Sequence, residues 1–138
     1  MKTEEYKKQY LYKQVVNAKL FVDRNFSDNL TQEKIASKAF YSKFHFTRLF
    51  KSIYGKTPHQ YLTSVRIEKA KKLLQEGLGT SQVCFLVGLS STSSFKSLFK
   101  SHTKETPFNY QKRFQKQKQD VLLMPGKFIL SCLKKKQF

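Results

Sequence analysis

An internal repeat limits what this chain can fold into more than any other feature of its sequence. Phe46, Leu49, Phe50, Lys51, Ser52, Thr57, Pro58 and Tyr61 recur as Phe95, Leu98, Phe99, Lys100, Ser101, Thr106, Pro107 and Tyr110, each 49 positions on. Upstream, Ile35, Ala39 and Ser42 match Val83, Val87 and Ser90 at an offset of 48. The second copy therefore carries one inserted residue between Ser90 and Phe95. A repeat of this length, with a single slip inside a turn, means that the chain holds two copies of one structural unit.

Each copy reads as a short apolar helix, a tight turn and a second helix. In the first copy Phe46, Leu49, Phe50 and Ile53 step by 3, 1 and 3, which gathers them on one helical face. Phe44, Thr47, Arg48 and Lys51 occupy the opposite face at the same spacing. In the second copy the inner face is Phe95, Leu98 and Phe99, and the outer face holds Thr92, Ser93, Lys96, Ser97 and Lys100. A helix that is apolar inside and polar to basic outside is what a helix-turn-helix offers to a DNA major groove.

The charge agrees with that partner. The net charge is +18, and between Lys34 and Arg113 there are 15 Lys and Arg against only Glu68, Glu76 and Glu105. Small soluble domains commonly sit at a net charge of about 2–8. An excess spread across the repeated unit points to a polyanion, nucleic acid ahead of anionic lipid.

Taken in order, residues 1–9 are charged and read as a fraying N-terminal extension. An amphipathic helix follows from Tyr10 to Arg24, built on Leu11, Val15, Ala18 and Val22. Thr31 reads as an N-cap, with Leu30 and Ile35 as a hydrophobic staple and Glu33 in the first turn. Ser42 caps the next helix, with Tyr41 and Phe46 as a second staple, and Gly55 ends it. Thr57-Pro58 is a cap followed by proline at the first helical position, opening a long helix to Glu76. At 1.5 Å per residue it would span about 28 Å and act as a rigid spacer. Gly79 or Thr80 and then Ser90 or Ser91 cap the helices of the second copy, and Thr106-Pro107 opens a short last helix to Phe114. The remainder, 115–138, reads as a tail whose apolar middle, VLLMPGKFILSC, is either a short hairpin or extended segment packed on the core, or part of a floppy tail with incidental apolar residues. The expectation is an all-α fold of seven helices. A first helix-turn-helix unit (10–56), a linker helix (57–76) and a second unit (77–114) together make one DNA-binding domain (10–114).

Other chemistries find little support. Cys84 and Cys132 are too few and too far apart for a zinc site or a disulfide framework. His45, His59 and His102 have no carboxylate or cysteine at ligand spacing, so neither metal nor cofactor is expected. No glycine-rich phosphate loop or nucleophile elbow accompanies the serines and histidines, which argues against an enzyme. MKTEEYKKQY lacks the apolar core of a targeting peptide, and no run nears about 18 apolar residues. A cytoplasmic, nucleoid-associated protein without a membrane partner is expected.

The phrases IASKAFYSKFHFTRLFK, YGKTPHQYLTSVRIEKAKKLL, VGLSSTSSFKSLFK and TPFNYQKR, in this order, resemble the AraC/XylS family of bacterial transcription regulators over roughly Val15 to Phe114. The resemblance implies seven helices, two helix-turn-helix units joined by a long helix, and promoter binding as a monomer or through dimerising partner domains. A monomer on DNA and RNA polymerase as a protein partner follow as expectations. Family members often carry glycine in the first turn, where this chain has Phe40, and a glycine where the second copy has Lys104. Thr80 and Cys84 also replace the usual apolar and alanine residues. These departures point to a looser second unit. The 14 residues before Val15 and the 24 after Phe114 are too few for a separate sensing domain.

Two functions compete. One is sequence-specific binding of double-stranded DNA, with Lys43, Phe44, Thr47, Arg48 and Lys51 on the first recognition helix and Thr92, Ser93, Lys96, Ser97 and Lys100 on the second. The other is a basic helical module that holds RNA or anionic surfaces without reading bases, and it leaves the repeated turn and helix unexplained. Within the first reading the two faces differ. Phe44, Thr47 and Arg48 supply a contact for a thymine methyl, a small hydrogen-bonder and a fork suited to guanine. The hydroxyls and lysines of the second face are better suited to phosphates.

Overall fold

The computed structural model describes residues 2–37 and 43–123, and these form seven helices: α1 (Lys2–Asn25), α2 (Gln32–Ser37), α3 (Lys43–Tyr54), α4 (Pro58–Gln75), α5 (Thr80–Leu86), α6 (Thr92–Thr103) and α7 (Pro107–Leu123). Ser42 as a cap, the Tyr41 staple, the Phe40 turn and residues 124–138 lie outside the described residues.

The start signals work as their chemistry requires. The Thr31 hydroxyl accepts from the Lys34 amide at 3.2 Å. Thr57 and Gln60 close a reciprocal capping box, at 3.2 Å onto the threonine hydroxyl and 3.0 Å onto the glutamine side-chain oxygen. Gly79 caps α5, and of the two serines proposed for α6 it is Ser91 that takes the cap.

Both ends of the described residues are more helical than the sequence pattern suggests. Lys2–Gln9 continues α1 instead of fraying, with Glu4 and Glu5 in the first turn where the macrodipole favours acids. At the other end α7 does not stop at Phe114 but runs to Leu123 through QKQKQD, a run with no Gly or Pro to break it. Residues 121–123 are thus helix, not hairpin.

The buried residues form two clusters. Val15, Ala18, Val22, Ile35, Ala36, Phe46, Phe50 and Leu62 make the first, from α1 to α4. Ile67, Ala70, Leu74, Val83, Cys84, Val87, Phe95 and Phe99 make the second, from α4 to α6, with Tyr110 of α7 packed against it. The central helix α4 is therefore more than a spacer. Its Leu62 completes one core, and its Ile67, Ala70 and Leu74 found the other. From α7, Gln111 donates to the carbonyls of Leu74 and Leu78 at 2.9 and 2.7 Å, which satisfies the end of α4. Cys84 fits its core: it is 3% exposed, and its thiol donates to the Leu89 carbonyl.

A candidate nucleic-acid interface

The inner faces of α3 and α6 are consumed by packing. Phe46 and Phe50, like Phe95 and Phe99, are fully buried or nearly so. What the helices have left to offer a partner is the opposite side.

On α3 that side carries Phe44, Arg48 and Lys51, all exposed, with Thr47 half-buried between them. Spacings of three and four residues put the four side chains on one face. Phe44 is 76% exposed. A benzyl group this open has no place in the core, and its position on the outer face suits an apolar contact to a base methyl. Lys43 begins α3, but its side chain lies outside the described residues.

On α6 Ser93, Lys96, Ser97 and Lys100 are exposed together. Thr92 is half-buried, as Thr47 is on α3. Burial pushes the pKa of the Cys84 thiol up. Thr92 is the first helical residue of α6, as Lys43 is of α3. Two residues that the sequence reading passed over join the face. Ser94 and Ser101, with Ser93, Ser97 and Leu98, line a shallow groove along α6. The signal for them was present, since Ser94, Ser97 and Ser101 step by 3 and 4.

Behind each recognition helix the next helix is tied to its own unit. The Tyr61 hydroxyl of α4 donates to the Asp23 carboxylate of α1, which Lys19 also engages at 3.0 Å. Burial first, then the Asp23 bond, raises the Tyr61 pKa. In the second copy the Tyr110 hydroxyl accepts from Gln75 at 2.7 Å, and Arg113 forks onto Glu105 at 2.9–3.1 Å. Among the described residues no three His, Cys, Asp or Glu side chains are grouped to hold a metal ion, and no helix is long and apolar enough to cross a membrane.

Two helix-turn-helix units on one shared helix, with both outer faces open, make an arrangement that can be compared with known proteins. The helix-turn-helix domain family matches residues 35–113. This chain belongs to the AraC/XylS type of that family. It is 35% identical over 92 residues to the bifunctional transcriptional activator/DNA repair enzyme AdaA of Bacillus subtilis (strain 168), which covers 66% of this chain and 44% of that protein. The AraC-type fold also matches the C-terminal domain of AraT, a response regulator from Geobacillus stearothermophilus. That match has a TM-score of 0.69 and 28% identity, and covers 72% of this chain and 84% of the other. The DNA-binding domain of the global transcriptional factor AdpA, solved with a target DNA, shares the fold at a TM-score of 0.73 and 21% identity over 75% of this chain and 95% of that domain. The chain spans less than half the length of AdaA.

Proposed function

We propose that this AraC-type chain is a sequence-specific, double-stranded-DNA-binding transcription regulator that sets α3 and α6 into successive major grooves on one face of the duplex. The observation that carries this reading is the pairing of two buried inner faces with two exposed outer faces, one of each per unit, on a single helix. At 18 residues α4 is about 27 Å long at 1.5 Å per residue, close to the groove repeat of about 34 Å. The proposed contacts are Lys43, Phe44, Thr47, Arg48 and Lys51 on the first unit, and Ser93, Lys96, Ser97 and Lys100 on the second. Thr92, half-buried at the start of α6, completes the second set as its most recessed member. The charge of +18 supplies the attraction for phosphate.

The rest of the reading follows from the family. The protein acts as a monomer on DNA, in the cytoplasm at the nucleoid, and meets RNA polymerase there. The proposal includes no catalytic role. The DNA repair activity in the name of AdaA belongs to that protein, of which this chain matches a minor part.

Selection of bound duplexes from a random pool, followed by hydroxyl-radical footprinting of the winner, tests the reading. Protection of roughly 20 base pairs on one face, in two grooves a turn apart, is expected. A footprint one groove long overturns the two-groove arrangement. Equal affinity for selected and random duplexes returns the basic-module alternative.

A further inference from the structure

The loop between α1 and α2 is held from two sides. Arg66 lies on α4 between Leu62 of the first core and Ile67 of the second. Its guanidinium reaches across to the loop, where Nε donates to the Phe26 carbonyl at 2.8 Å and Nη2 to the Asp28 carbonyl at 2.9 Å. The Asp28 carbonyl also accepts from the Leu30 amide at 2.8 Å. On its other side the loop lies against the turn from α5 to α6. A Cβ on Gly88 would stand 2.5 Å from the Ser27 carbonyl oxygen and 2.9 Å from the Ser27 Cα. Gly88 also has φ +85°. Only a residue without a side chain lets the two backbones meet this closely. Ser27, Asn29, Phe85, Leu86, Leu89 and Ser90 line the seam.

This contact joins the two units away from the axis of α4. A helix fixes the distance between what is packed on its two ends, but one line of attachment leaves rotation about that line less constrained. A second attachment, off the axis, removes that freedom. The turn held by the seam is the one that launches α6 from its Ser91 cap. From this we infer that Arg66 and Gly88 are positioning residues, which lock the α1–α2 loop against the second helix-turn-helix turn and so set the rotational phase between the two recognition helices. The consequence rests on the reading that both helices engage one duplex. Each added base pair rotates the second half-site by about 35°, given 10–10.5 base pairs per turn, so a locked protein accepts one spacing. Lysine cannot replace Arg66 in this task, because an ammonium on a flexible stem lacks the fixed fork that spans two carbonyls.

The test uses the selected site in a series of duplexes, with the half-sites moved apart or together by one and two base pairs. Wild-type affinity, read by gel shift, should fall by about tenfold or more for a one-pair change, since the second half-site is then out of phase. Arg66→Lys and Gly88→Ala should flatten the series to within about threefold, while binding to the first half-site alone stays within about twofold. Arg66→Lys keeps the charge and leaves the Gly88 turn untouched, so it carries the test if Gly88→Ala does not fold. Variants that keep the wild-type steepness, or that lose affinity equally at every spacing, overturn the lock and leave the two-groove reading standing. A flat wild-type series overturns the two-groove reading and the lock with it.

Discussion

Phe46 and Phe50 in the first unit meet at 5.7 Å and 53°, and Phe95 and Phe99 in the second at 5.8 Å and 58°. The helices that carry them end alike: Gly55 at φ +73° and Lys104 at φ +67° each donate a backbone amide four residues back at 2.8 Å. Inside, then, the two units are nearly one object built twice. Outside they part. Where α3 presents Phe44, Thr47 and Arg48, α6 presents Ser93, Lys96 and Ser97. Behind them, Tyr54 stacks on Tyr61 in the first unit, whereas Thr103 at the matching place bonds the Phe99 and Glu105 carbonyls. The lesson is that core packing and C-cap geometry were held in both copies while the exposed chemistry diverged, which separates what the fold needs from what the partner needs.

The largest test of the shared interior is a matched truncation. Phe50→Ala and Phe99→Ala should each cost about 3–5 kcal/mol in denaturant unfolding, because each leaves a large cavity in a sealed cluster. A loss below about 1 kcal/mol at Phe99 would break the equivalence and mark the second core as the looser one, as the departures at Thr80, Cys84 and Lys104 suggested.

The divergent exterior is tested by a base-by-base scan of a selected site. The half-site under α3 should lose about 1–3 kcal/mol per wrong pair, and that under α6 far less. Arg48→Ala should relax discrimination at one position, and Lys96→Ala should weaken all sequences alike, lowering the salt slope by about 0.9. Equal discrimination in both halves would sink the division of labour.

A smaller effect separates the two tyrosine ties. Tyr61→Phe and Tyr110→Phe should each lose about 1 kcal/mol at neutral pH through one hydrogen bond. In alkali the Tyr61 tie carries a further dependence. Burial raises the Tyr61 pKa, and the Asp23 bond raises both it and that of Lys19, so both groups hold their protons more tightly folded than unfolded. Their contribution is complete below the unfolded values near 10 and is lost as pH rises through the folded ones. Stability followed by circular dichroism should therefore fall less steeply above pH 10 in Tyr61→Phe than in wild type. An unchanged slope would show that the tie is not what titrates.

Last, the matched C-caps allow a swap. Lys104→Gly should stabilise by about 0.5–1 kcal/mol by removing the strain of a left-handed lysine, and Gly55→Ala should cost about as much. A Lys104→Gly melting point no higher than wild type would show that the lysine side chain compensates.

Much of this architecture was legible because its causes are local. The inner faces of α3 and α6 follow from apolar residues three and four apart, and the caps at Thr31, Thr57 and Ser91 from side chains that reach amides three residues on. The repeat registered both units against each other before any contact was known. The candidate site was legible to the same depth. Phe44, Arg48, Lys51, Ser93, Lys96, Ser97 and Lys100 stand exposed on their helices, since helical phase alone decides the side a residue faces.

What the sequence did not determine depends on chain segments far apart. Thr92 is half-buried where α6 starts, which depends on what packs around the turn before it. The role of α4 as a member of two cores follows from what packs on each of its ends. The seam in which Ser27 meets Gly88 and Arg66 grips Phe26 and Asp28 joins residues some 40 to 60 positions apart. Periodicity carries no record of such contacts. A side chain's phase on its helix is fixed by its neighbours in sequence, but how two helix-turn-helix units sit against each other depends on contacts between residues far apart in the chain.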